Sequence, residues 1–157
     1  MRTPGPRREP AHIGAGFDDI SQRAELKCDA ERRLCAFSSV GARLFAGVPV
    51  TRIEAAFQDS RLQQVNVTLD TLQFQALHHA LTARYGAGED CSFLAIAGMA
   101  AEFTARVFVW RLGTVNIVLE EYAGKIDRSA LTFGSEATMA DMLRKVHSYP
   151  RGARRDL

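Results

Sequence analysis

The sequence predicts one α+β domain: a single antiparallel sheet of five or six strands with one main helix on one face, ordered β-β-α-β-β-β, and short helices near both ends. Three observations predict it. Apolar residues alternate with polar ones in period two over Val48 to Leu69 and again over Phe103 to Phe133. Between those runs lies one stretch of helical periodicity with cap residues at both ends, from Asp70 to Gly86. The 157 residues, 46% hydrophobic and 24% charged, suit one globular domain that needs no cross-links to build a core.

The elements follow in chain order. Phe17 to Lys27 reads as a short helix, with Asp18 or Asp19 as N-cap and Phe17, Ile20, Ala24 and Leu26 as its expected apolar side. Leu34 to Ser38 and Arg43 to Ala46 read as short strands, broken by Gly41 and Gly47. From Val48, the residues Val50, Ile53, Ala55 and Phe57 mark a half-buried strand; Gln58 to Arg61 supply a turn, and Leu62, Val65, Val67 and Leu69 return as its hairpin partner. Asp70 is placed to accept the first free N–H groups of a helix, with Gln73 at the capping-box position. Phe74, Leu77, Leu81 and Tyr85 form that helix's buried face, and Gly86 stands at a left-handed C-cap. Phe93 to Ala101 is apolar and fits either a short strand or an irregular link. Phe103 to Arg111, Val115 to Glu120 and Ser129 to Phe133 then form a three-stranded meander, and Ser135 caps a short final helix bearing Met139, Met142, Leu143 and Val146.

Residues 1–16 are expected as a disordered basic tail, 17–149 as the domain and 150–157 as a basic C-terminal tail. Net charge is only +2, and without basic and aromatic alternation on any strand a nucleic-acid partner is not expected. No stretch approaches the roughly twenty apolar residues of a membrane-spanning helix. The opening segment also lacks the apolar core of a secretory signal, which taken as written points to the cytoplasm. The cysteines pull the other way: Cys28 and Cys35 flank a polar loop that suits a disulfide-closed turn, and such a bond persists in a periplasmic or secreted protein. Two reduced thiols are the competing reading.

Chemistry-bearing residues are few. Cys91 has no base among its sequence neighbours, and with no CxxC and no His at ligand spacing from a Cys, neither a metal nor a cofactor is expected. His78 and His79 point about 100° apart on a helix and do not share one site. Glu120 and Glu121 fall on opposite faces of a strand, which removes a paired-carboxylate reading; one of them is expected to pair with Arg106 or Arg111. Gly14 and Gly16 lack the preceding strand and following Lys of a phosphate loop. Trp110 and Phe108, on one strand face, are the candidate ligand-binding residues, against the plainer role of aromatics packed beneath the helix.

Several motifs together resemble small exported proteins of proteobacteria. They are the Cys28 to Cys35 spacing, Phe45-Ala46-Gly47-Val48-Pro49, the Asp59-Ser60-Arg61-Leu62 turn, Ala83-Arg84-Tyr85-Gly86 and the Trp110 strand, spread over Phe17 to Phe133. The resemblance implies a periplasmic α+β domain with a disulfide and no established activity, although this chain departs from it in showing no signal sequence. The expected function is thus a non-catalytic binding or interaction module of the bacterial cell envelope, with an unidentified protein or small molecule as partner. Its alternatives are a small enzyme using Cys91 or a His, and an accessory protein of envelope assembly.

Overall fold

The computed structural model describes residues 26–31, 33–37, 43–97, 101–148 and 154–156. Strands β1 (Leu26–Cys28) and β2 (Leu34–Phe37) form a small hairpin, and β3 (Arg43–Phe45) and β4 (Val48–Val50) form another. The strand expected from Val48 to Phe57 breaks at Thr51, whose N–H and hydroxyl both donate to the Thr68 carbonyl, at 2.8 and 2.9 Å. Beyond that corner β5 (Arg52–Gln58) and β6 (Arg61–Asp70) make the long hairpin. Its two-residue turn has Asp59 and Ser60 both at positive φ (50° and 60°), the handedness that matches strand twist.

Asp70 caps as its sequence position predicts, accepting from Leu72 N–H at 2.8 Å, but it caps a 3₁₀ turn, Thr71–Gln73, that leads into α1 (Phe74–Tyr85). Gln73 makes no capping-box bond. Gly86 ends α1 at φ +82° and ψ −175°, a conformation open essentially to glycine alone and extended rather than left-handed helical as expected. Next come β7 (Glu89–Asp90), β8 (Phe93–Ala97), β9 (Ala101–Ala105), β10 (Val107–Leu112), β11 (Val115–Glu120), β12 (Arg128–Ser135), α2 (Glu136–His147) and β13 (Arg154–Asp156).

The α+β class and the antiparallel pairing of the main sheet stand, but the size and order expected from sequence do not. The main sheet has eight strands in the order β1-β2-β5-β6-β12-β11-β10-β7, while β13, β8 and β9 form a second sheet. Strands β1 and β7, three and two residues long at the two edges, carry too few positions for periodicity to count, whereas β2 falls within the strand expected over Leu34 to Ser38. The strand expected over Phe103 to Arg111 is two strands in two sheets, parted at Arg106. The helix expected over Phe17 to Lys27 lies largely outside the described residues, and Leu26 and Lys27 belong to β1. Arg154–Asp156, within the expected basic tail, runs parallel to β8.

Period-two alternation aims each inner strand at two cores. On one face α1 lays Phe74, Leu77 and Leu81 over Val67, Leu69, Ile117, Leu119 and Leu131. On the other, α2 lays Met139, Leu143 and Val146 against Val107, Val109 and Val118, beside Phe93, Ala95 and Ala105. The final helix, expected to be short, is thus as long as α1 at 12 residues and buries a core of its own. Ser135 starts it by accepting from Thr138 N–H at 3.3 Å. Gly134 lets it sit close: a Cβ there would lie 2.5 Å from Met139 Cγ. A satellite core of Cys35, Ala55, Phe57 and Leu62 fills the β1–β2 end, where Cys28 and Cys35 are register partners joined by a disulfide.

Candidate functional site

The residues singled out in the sequence are mostly absorbed by packing under α1. Trp110 is 3% exposed and its indole N–H donates to the Gly86 carbonyl at 2.8 Å, which ties β10 to the end of α1. Phe108 is half-buried and stacks on His78, with ring centroids 4.0 Å apart. Burial holds the His78 imidazole below its ordinary range, helped by the Arg106 charge and by His79 and opposed by Asp90. Arg106 donates to Glu121 from Nη2 at 2.6 Å and Nε at 3.1 Å, reaches Gln75 at 2.6 Å, and lies 4.6 Å over the Phe74 ring. Glu121 is therefore the carboxylate that pairs with arginine, as one of the two was expected to do. Glu120, on the opposite face, has its carboxyl pushed up by burial against the opposing pull of Lys145.

A second arrangement sits where the β7 edge of the sheet meets the end of α2. Asp90 accepts from Ser92 N–H at 2.9 Å, and Cys91 N–H donates to the Val107 carbonyl at 2.8 Å. These bonds fix the bend that carries Glu89 and Cys91. The α2 core contacts fix the helix whose last residue is His147. A carboxylate oxygen of Glu89, Cys91 Sγ and a ring nitrogen of His147 all lie within 4.8 Å of one another. Both Glu89 oxygens are 3.2 Å from Nε2, and Nδ1 meets the Leu143 carbonyl at 2.8 Å. His147 also lines a groove of ≈ 330 Å³ along α2, shared with Arg111, Asn116 and Arg144.

That arrangement brings to Cys91 a histidine that its sequence neighbours do not supply, one far outside ligand spacing along the chain. Glu89 and His147 drew no notice in the sequence. A Glu-x-Cys pair in a loop is a weak signal, and the His that completes it belongs to a distant helix. No protein-family model, no curated protein and no solved structure matches this chain.

Proposed function

We propose that this chain is a non-catalytic binding module of an oxidising compartment, the bacterial periplasm, and that it takes its ligand at the corner between β7 and the end of α2. The observation that carries the reading is how His147 is held. A cysteine enzyme needs one ring nitrogen for the thiol and the other for the orienting carboxylate. Here the Leu143 carbonyl occupies Nδ1 and Glu89 faces Nε2, so the ring is not arranged as a base between the Cys91 thiol and an orienting carboxylate. Three donors meeting at one point suit holding a ligand better than relaying a proton. The Cys28–Cys35 bond supports the compartment, because cytosolic reductants do not leave such bonds standing.

Alkylation with iodoacetamide, followed by mass spectrometry on protein freshly isolated from its source, tests both halves. With a chelator present throughout, the expected result is one label before reduction and three after it, since the chain has 3 cysteines, with Cys91 reacting at the rate of an ordinary thiol. Three labels before reduction would remove the oxidising compartment. Burst labelling of Cys91, as of an activated thiolate, would favour the enzyme instead.

A further inference from the structure

We infer that Glu89, Cys91 and His147 form a binding site for a divalent transition metal of the zinc class, an inference that rests on the binding-module reading of this corner. Proton bookkeeping leads to it. The Leu143 carbonyl only accepts hydrogen bonds, so the proton facing it belongs to Nδ1, 2.8 Å away. In the neutral ring Nε2 then carries a lone pair, and a carboxylate oxygen is likewise an acceptor. Two acceptors 3.2 Å apart call for a cation between them. A second proton on the ring is one such cation. The thiol within 4.8 Å of both groups points to a metal, because an imidazolium–carboxylate pair needs no third donor.

The donor set specifies which metal. Sulfur, imidazole nitrogen and carboxylate oxygen together match zinc and its neighbours, whereas calcium and magnesium take oxygen. Thiolate and carboxylate bring two negative charges to balance a divalent ion. The Nδ1–H bond to a backbone carbonyl is the supporting contact that metal-bound histidines usually make, fixing tautomer and ring orientation. Glu89 is 51% exposed and the His147 side chain 33%, so an ion has a path in. Three protein donors leave the fourth tetrahedral position to water or to an added ligand reaching His147 along the groove. Bound metal would tie the β7 edge to the last turn of α2.

The test is titration of the metal-free chain, disulfide intact, first with cobalt(II) and then with zinc. One equivalent of cobalt is expected, with a thiolate-to-cobalt charge-transfer band that zinc abolishes by displacement. Cys91→Ser should remove the band. His147→Gln and Glu89→Gln should each weaken binding at least about tenfold, a loss comparable to or larger than that from disturbing supporting contacts. His79→Gln, an exposed histidine on α1, should leave the affinity unchanged, and near-ultraviolet circular dichroism checks that each variant is folded. Absence of a band in the wild-type chain, or a band that survives Cys91→Ser and His147→Gln, overturns the proposal. The labelling count reads the compartment separately: three labels before reduction overturn that reading whether or not cobalt binds.

Discussion

The two faces of the main sheet are built from the same inner strands, yet they treat their polar groups in opposite ways. Under α1 the groups are matched on the spot. Arg106 is spent on Glu121, Gln75 and the Phe74 ring, Trp110 on the Gly86 carbonyl, and His78 on the face of Phe108. Under α2 the contact is mainly aliphatic, and polar groups gather at its C-terminal end, where Glu89, Cys91 and His147 converge and Lys145 acts on the half-buried Glu120. Side chains that look chemical in a sequence are here mostly packing residues, and among the described residues the one convergent donor set lies at an edge. A two-residue strand and a helix end meet there, and the core imposes less.

The largest test of this contrast is Phe74→Ala. Phe74 is fully buried and serves both the aliphatic core and the arginine, so its loss should cost about 3–5 kcal/mol in urea unfolding. Metal affinity, which depends on the other face, should change little in the fraction that stays folded. Next is Glu121→Gln, which leaves Arg106 without its charge partner. A fully buried pair broken this way costs more, but Arg106 keeps 37% exposure, so about 1–3 kcal/mol is expected, with Arg106→Met in the same background recovering part of it.

On the α2 face Gly134→Ala should cost about 1–2 kcal/mol, because the new Cβ meets the buried Met139 side chain. Paired with Met139→Ala it should cost less than the sum of the two. By displacing α2 it should also weaken cobalt binding, which Phe74→Ala should not.

The smallest effects are in pH dependence, and they differ in sign between the faces. Glu120 on the α2 side has its folded pKa raised above the ordinary 4.5. Stability is therefore unaffected by this group below that value and is lost as pH rises through the folded pKa. Glu120→Gln should raise Tm at neutral pH and leave it unchanged near about pH 4. His78 on the α1 side has its folded pKa lowered from 6.5, so its contribution is present above that value and lost as pH falls through the folded pKa. His78→Phe should flatten the acid limb of a Tm–pH curve and leave the neutral region unchanged.

Much of the local structure was legible in the sequence. The Asp70 cap, the face of Phe74, Leu77 and Leu81, the Asp59–Ser60 turn and the split of Glu120 from Glu121 each depend on residues a few positions apart, and spacing encodes such relations directly. Periodicity also made β10 and β11 strands with two distinct faces, although it could not say that both would be covered. The sequence by itself thus determined element type and side-chain facing.

Only the tertiary structure decided which strands are neighbours. β12 lies beside β6 because register is set where both faces find their cores at once: Leu131 pairs with Val67, under α1, while Thr132 pairs with Asn66 on the reverse. The same closure placed β7 beside β10 and α2 across β11, and so brought His147 to Glu89 and Cys91. No local pattern records that meeting, because the energy that fixes it comes from burying Met139, Leu143 and Val146 against strands far away in the chain.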